Sequence, residues 1–216
     1  SLSQIIIPST VNAINEGAFI LCSSLTQIII PSSVNSIGVN AFSQCKNLMK
    51  ITIDPYKTKL MKDPFNKCTK LTHLVLANTV NTTDNLNNFP FIQKFKTITI
   101  PPSVAVIESN SFRELKTLVT VEIPYSITEI KSYAFYDCSS LKPMTIPQTV
   151  EIIGDFAFSQ CTSFINVTIP SSVQVIGSNA FQGCSNLSQL ILQSRNTQLG
   201  ANATGDCPLL KGILYI

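Results

Sequence analysis

The sequence predicts an α/β solenoid of about nine stacked coils of 23 residues, and three sets of side chains predict it. The cysteines recur every 23 residues in two runs, Cys22, Cys45 and Cys68, then Cys138, Cys161, Cys184 and Cys207. Phenylalanines share a second position: Phe19, Phe42, Phe65, Phe89, Phe112, Phe135, Phe158 and Phe181. Prolines share a third: Pro8, Pro31, Pro101, Pro124, Pro147 and Pro170. A fixed period between roughly 20 and 50 residues is typical of repeat architectures.

Counting from the proline position divides the chain into coils. Their boundaries are 8–30, 31–53, 54–76, 77–100, 101–123, 124–146, 147–169, 170–192 and 193–215, with one residue inserted in the fourth coil. No linker, charge block or low-complexity run interrupts them, so we expect residues 1–216 to form a single solenoid domain. We also expect this domain to be a fragment of a longer protein, because neither end of the repeat pattern carries a polar capping segment.

Each coil ends in a short strand. In the coil at 8–30, the apolar Ile28 and Ile30 flank one other residue, which is the period of a strand with one buried face. Pro31 follows at once and ends the strand, because proline has no N–H to donate to a ladder. Since every coil repeats the last in the same sense, we expect a parallel sheet on the concave face, with strands roughly 4.8 Å apart.

Shorter elements make up the other sides of each coil. In the coil at 31–53, Val34 and Ile37 point inward and predict a second short strand. Gly38 then occupies a tight corner, although other coils place Asn, Asp, Glu or Lys there, so we expect that the corner does not require glycine. Phe42 and Cys45 follow three residues apart, which predicts a short helical turn.

We interpret the seven cysteines as buried free thiols. Neighbouring cysteines of one column would have Cβ atoms about 5 Å apart, beyond the roughly 3.5–4.5 Å that a disulfide requires. Ile92 and Leu115 occupy the same position in two coils, which indicates an apolar environment. Neither the spacing nor a histidine partner fits a zinc site, so we expect no metal and no cofactor.

The repeat pattern L-x-x-I-x-I-P-x-x-V-x-x-I-G-x-x-A-F-x-x-C resembles the leucine-rich repeat of the BspA-like, or Treponema pallidum-type, subclass. The resemblance covers essentially the whole chain, with the third, fourth and ninth coils degenerate. It implies an α/β leucine-rich-repeat solenoid. It further implies a bacterial or protist surface protein involved in adhesion, although intracellular proteins of similar type exist.

Composition and motifs argue against several classes of function. Charged residues are only 12% of the chain, against roughly 25% in ordinary domains, and Ser, Thr and Asn supply the polar surface instead. No run of 18 or more apolar residues occurs, so we expect no insertion into a membrane. The only histidine, His73, falls on the outward side of a strand, and the carboxylates are scattered. We therefore expect no enzymatic activity.

The first candidate binding surface is the outward side of the concave sheet. It carries His73 and a threonine-rich strip, which consists of Thr97, Thr99, Thr120, Glu122, Thr145 and Thr168. The concave faces of solenoids are their usual recognition surfaces. Threonine is also a good strand former on a solvated face, so a purely structural interpretation of the strip stays open.

The second candidate surface is a lysine cluster in and around the third coil. It contains seven of the fifteen basic residues: Lys46, Lys50, Lys57, Lys59, Lys62, Lys67 and Lys70. With Asp54 and Asp63 the segment carries +5, whereas the rest of the chain carries −2. Basic clusters attract sulfated glycans, anionic lipid headgroups or nucleic acid. The lack of interleaved aromatic residues argues against nucleic acid, and an ordinary solvated surface stays open.

These observations predict a non-enzymatic binding module of a microbial or protist protein, located at the cell surface or secreted. Its expected partner is a protein or glycan, with host macromolecules among the candidates, recognised through the concave or the basic surface. The alternative is a cytoplasmic scaffold or regulator that binds a signalling protein such as a phosphatase. The full-length reading frame distinguishes the two, because a signal sequence or membrane anchor would favour the surface role.

Overall fold

The computed structural model describes residues 5–216, which form two compact units. The N-terminal unit contains the described residues up to Val80 together with Thr97–Pro101. The C-terminal unit contains Asn81–Lys96 together with Pro102–Ile216. Parallel coils of about 23 residues build each unit, as the solenoid fold requires. The single domain expected for residues 1–216 stays a prediction.

Two parallel sheets run through the N-terminal unit. Its main sheet contains Gln27–Ile29, Lys50–Ile53, His73–Leu76 and Thr97–Thr99. Its second sheet contains Ala13–Ile14, Ser36–Ile37 and Lys59–Leu60. Residues one repeat apart are paired, since Ile28 lies opposite Ile51 and Ile51 lies opposite Leu74. The predicted parallel sheet is therefore confirmed.

The C-terminal unit repeats this plan. Its main-sheet strands are Thr120–Glu122, Asn166–Ile169, Gln189–Leu192 and Ile213–Tyr215. Its second sheet contains Val106–Ile107, Glu129–Ile130, Ile152–Ile153, Val175–Ile176 and Gln198–Leu199. Two short 3-10 helices, Leu86–Asn88 and Ile92–Lys94, lie in the irregular coil at 77–100.

The third side of each coil consists of hydrogen-bonded turns, where we expected a helical turn. Within residues 5–216, the two 3-10 helices are the only helices. Successive N–H groups alternate in direction: Cys45 N donates to Phe42 O within the coil, at 3.2 Å, whereas Gln44 N donates to Asn66 O of the next coil, at 2.8 Å. Because every second N–H bonds to the neighbouring coil, an α-helix cannot form here.

Thiols and hydroxyls also connect the coils. Cys161 Sγ donates to Phe135 O of the preceding coil at 3.2 Å, and all the cysteines after Cys22 make the equivalent bond. Ser172 Oγ likewise donates to Val150 O at 2.7 Å. Such hydroxyls, which we expected to solvate the surface, therefore also hold successive coils together, because they donate to carbonyls of the preceding coil.

The phenylalanine column forms the centre of the core. Phe112 and Phe135 stack with ring centroids 4.9 Å apart, and Phe135 and Phe158 stack at 5.2 Å. These rings are fully buried. Five of the seven cysteines are buried beside them, whereas Cys22 and Cys207 are half-buried and correct our expectation that all seven are enclosed. These two lie in the first and last coils, where the described chain supplies a neighbouring coil on one side only.

The corner after the second strand brings neighbouring coils into close backbone contact. A Cβ atom added at Gly154 would lie 2.6 Å from Ser132 N and 2.8 Å from Lys131 C. Equally close contacts to the preceding coil would arise at Gly38, Gly177 and Gly200. Our expectation that this corner does not require glycine is therefore wrong for these four coils, because the preceding backbone fills the space.

We expect Gly154→Ala to lower the free energy of unfolding by about 1–3 kcal/mol, since the new methyl group must push two coils apart. Urea denaturation monitored by circular dichroism measures the loss. Gly205→Ala is the matched control, because its added Cβ would have its nearest neighbour 3.3 Å away. Equal losses for the two variants would show that the corner at Gly154 is not tightly packed.

We expect iodoacetamide at pH 8.5 to modify Cys22 and Cys207 well before the five buried cysteines, because alkylation requires an exposed thiolate. Burial raises the pKa of the Cys138 and Cys184 thiols to about 12, so both stay protonated. Peptide mapping by mass spectrometry after brief exposure measures the order. In urea without reductant all seven cysteines should react. A stoichiometric intramolecular disulfide would contradict the interpretation of the cysteines as free thiols.

Candidate functional site

The main sheet of the C-terminal unit is interrupted in the coil at 124–146. Residues 141–147 form no strand, although the equivalent segment of the next coil is the strand Asn166–Ile169. That strand pairs with Gln189–Leu192 in regular parallel register. The interruption therefore separates Thr120–Glu122 from the remaining main-sheet strands of this unit.

A proline in a ladder position causes the interruption. At the equivalent positions of other coils, Thr120 N donates to Lys96 O at 3.0 Å and Gln189 N donates to Ile165 O at 3.2 Å. Pro143 has no N–H and cannot make this bond, so the ladder fails there. The sequence carried this signal, because a proline within a strand pattern disfavours a central strand.

Two clefts open beside Pro143, one against each neighbouring coil. The first, of about 250 Å³, is named the Glu122 cleft, and its polar lining consists of Thr120, Glu122, Lys142 and Thr145. The second, of about 370 Å³, is named the Gln193 cleft, and its polar lining consists of Thr145, Gln148, Asn166, Thr168 and Gln193. Pro143, Met144 and Thr145 line both clefts.

Hydroxyl and amide groups dominate the lining of the Gln193 cleft. Gln148 Nε2 donates to Gln193 Oε1 at 3.4 Å, a bond between residues 45 positions apart. The Glu122 cleft adds one carboxylate and one ammonium group, from Glu122 and Lys142. Such a lining offers hydrogen-bond donors and acceptors without a strong net charge, and it has no nucleophile paired with a base.

The predicted threonine strip falls partly in these clefts. Thr120, Glu122 and Thr145 come together in the Glu122 cleft, while Thr145 and Thr168 share the Gln193 cleft. Four further lining residues were not identified from the sequence, because they come together only where the main-sheet strand is missing. These residues are Lys142, Gln148, Asn166 and Gln193. That any of them binds a ligand stays a prediction.

The remaining strip residues lie on the main sheet of the N-terminal unit. His73 lies opposite Thr97 in the strand register, and Val75 lies opposite Thr99. The His73 Nε2 atom is 2.8 Å from Thr99 Oγ1, in a hydrogen bond whose direction depends on the tautomer. His73 is half-buried, and this contact ties its ring to the Thr99 hydroxyl of the paired strand.

The lysine cluster does not form one patch. Lys50 belongs to a main-sheet strand and Lys59 to a second-sheet strand, on different sides of the coil. Lys57 lies in the turn between them, with Nζ 3.9 Å from Asp54 Oδ2, and Lys62 follows the second strand. The third side carries Lys46, Lys67 and Lys70. Because one coil passes through three sides in 23 residues, lysines that are close in sequence point in different directions.

Neither a metal centre nor a membrane-spanning helix occurs in the described part of the chain. Among residues 5–216, no group of three or more His, Cys, Asp or Glu side chains is arranged to hold a metal ion. Within the same range, no helix combines the length and apolar character that crossing a bilayer demands.

Several solved structures are similar to this chain. A leucine-rich repeat protein from Eubacterium ventriosum is 20% identical, with 94% of this chain and 70% of that chain covered and a TM-score of 0.54. The pneumococcal vaccine antigen PcpA is 20% identical over 94% of this chain and 60% of its own, with a TM-score of 0.50. A leucine rich cell surface protein from Faecalibacterium prausnitzii is 24% identical over 99% and 68%, with a TM-score of 0.45.

Among curated proteins, none matches this chain significantly. A family model, however, does match it. The model of the BspA type leucine rich repeat region matches residues 1–93 and 85–211, in six copies. These residues include the cysteine, phenylalanine and proline columns that set the period. The chain therefore belongs to the BspA-type leucine-rich repeat family, a family of non-enzymatic repeat proteins.

Proposed function

We infer that this chain is a non-enzymatic binding module of a microbial or protist surface protein, and that it recognises a protein or glycan through the two clefts beside Pro143. The observation that carries this proposal is the convergence of Thr120, Glu122 and Thr145 in one cleft and of Thr145 and Thr168 in the next. Thr120, Glu122 and Thr168 belong to main-sheet strands, and Thr145 lies in the interrupted segment between them. Solenoids usually present their ligand-binding groups on this side of the coil.

Family membership supports a surface role. The BspA-type repeat matches most of the chain, and the resemblance to this repeat implies adhesive surface proteins. A structure of similar fold belongs to the pneumococcal vaccine antigen PcpA. The proposed location is therefore the outside of the cell.

The chemistry of the clefts favours an uncharged polar ligand surface. The Gln193 cleft presents two threonine hydroxyls and three side-chain amides beside the apolar Pro143 and Met144. Amides and hydroxyls pair equally well with the backbone of an extended peptide and with sugar hydroxyls. The apolar residues add contact area, as in other sites where a few polar groups orient the ligand.

We expect Thr145→Arg to abolish ligand binding, because a long charged side chain would fill the region where the two clefts meet. The intact chain is first applied to an array of glycans and extracellular proteins, and affinities for each bound probe are then measured for wild type and variant. A loss of at least about tenfold is expected, which is 1.4 kcal/mol.

Thr128→Arg is the matched control, because Thr128 is exposed and precedes the second-sheet strand Glu129–Ile130. It should retain wild-type affinity. Equal binding by the wild-type and Thr145→Arg proteins, for every probe that binds, would show that the ligand does not use the clefts.

The lysines around the second sheet offer a separate test of the basic surface. If they bind anionic glycans, replacing Lys57, Lys59 and Lys62 with Glu should remove salt-sensitive retention on a heparin column, since the charge changes by six units. Replacing Lys46, Lys67 and Lys70 of the third side is the control with the same charge change. Unchanged retention of the first variant would exclude this surface, and equal losses would indicate a response to net charge alone.

A further inference from the structure

Every regular coil contains a residue in the left-handed backbone conformation at the start of its third side. In most coils this residue is small or amide-bearing: Gly17, Asn40, Asp63, Asn110, Asn179 and Asn202, with φ between 41° and 63°. Gly, Asn and Asp are the residues that adopt this conformation at least cost. The sixth and seventh coils break the pattern, since they place Tyr133 at φ 60° and Phe156 at φ 54°.

These two rings form an aromatic cluster on the surface of the C-terminal unit. Tyr133 and Phe156 stack with centroids 4.8 Å apart and planes 8° from parallel. Tyr136 lies against Tyr133 at 5.6 Å, and the Arg113 guanidinium lies 5.4 Å from the Tyr133 centroid and 5.1 Å from that of Tyr136. We name Arg113, Tyr133, Tyr136 and Phe156 the aromatic cluster.

The aromatic cluster is not required by the core. Its four residues are half-buried, whereas the phenylalanine column beneath them is fully enclosed. Bulky side chains in the left-handed region strain the backbone, as they do at Leu21, Gln44 and Gln160 on the same side of other coils, and functional sites are one place where such strain is kept. Because the other regular coils satisfy the same turn with Asn, Asp or Gly, the turn itself does not call for aromatic residues here.

The charges around the aromatic cluster cancel. Arg113 Nε lies 3.1 Å from Glu114 Oε1, and Lys116 Nζ lies 2.8 Å from Asp137 Oδ2. A polyanion such as a sulfated glycan therefore meets no net positive field. A protein surface that carries charges of both signs around an apolar centre is complementary to this arrangement.

The ring geometry also favours a protein over a sugar. A sugar ring binds by lying flat on an open aromatic face, but Tyr133 already stacks on Phe156, and Arg113 covers a face of both tyrosines. The cluster is thus a set of half-buried rings already packed against one another and against a guanidinium group. Tyrosine and arginine are enriched among the residues that dominate protein–protein binding energy.

We propose that the aromatic cluster is a protein-docking surface, separate from the clefts beside Pro143. The partner presents apolar side chains to the three rings and groups of both charges to the flanking ion pairs. Tyr133 and Phe156 occupy strained positions because they carry this contact.

Panning a phage-displayed library of random 12-residue peptides against the intact chain tests the proposal, because a protein-docking surface enriches peptides that mimic the contact side chains of its partner. The selected clones are measured on a Tyr133→Asn/Phe156→Asn double variant and on Tyr136→Ser. At least a tenfold loss of binding is expected on both. Tyr125→Asn, which removes an isolated aromatic side chain that is 75% exposed, should leave binding unchanged.

A thermal melt distinguishes docking from packing. Since asparagine suits the left-handed conformation, the double variant should melt no more than about 3 °C below the wild type, and a larger fall would assign the rings to the fold and overturn the proposal. Recovery of no clones dependent on the cluster would also overturn it. Clones that lose binding to the Thr145→Arg variant would belong to the clefts and would contradict the proposal. Cluster-dependent binding to a neutral glycan array, with no peptide binding, would contradict it as well.

Discussion

Stacking of each coil directly on its predecessor, in a register of one repeat, is the constraint on which the rest of the structure depends. It is enforced by backbone atoms at the strands, where Ile51 lies opposite Ile28 and Leu74, and at the turns, where alternate N–H groups cross to the next coil. Thiols and hydroxyls add further bonds to the preceding coil, as Cys161 and Ser172 illustrate. Glycines at the corner allow the backbones to approach closely enough for these bonds to form.

This constraint divides the residues of a coil into two groups. Inward positions must match the coil above and below in size and shape, which explains the parallel stacks of Phe112, Phe135 and Phe158. Outward positions are free of that requirement. Outward residues, or the ladder itself, can therefore depart from the repeat, as they do at Pro143 and at the pair of Tyr133 and Phe156, and these departures are where we propose that ligands bind.

The repeat period made the strands, the phenylalanine core and the cysteine column predictable from the sequence, because each reflects a side chain that recurs in one environment. Features that depend on local backbone geometry were missed. The left-handed turns are among them, since Asn40 and Gln44 carry no apolar periodicity that reveals their conformation. The distribution of the lysines over several sides was missed for a related reason: proximity within 23 residues of sequence does not mean proximity on one side of a coil that passes through three.

A repeat architecture tolerates such departures because each coil contacts only its neighbours. Loss of the ladder bond at Pro143 weakens pairing between adjacent coils, while the strands Asn166–Ile169 and Gln189–Leu192 keep their register. The same coil retains its buried Phe135 and Cys138, which hold it to the coils on either side. The core columns thus stabilise the coil while its main-sheet edge is released from pairing. The loss of stabilising interactions that opens the clefts beside Pro143 is therefore confined to one coil and its neighbours. A binding site built into a continuous stack requires that its effect on stability stay local in this way.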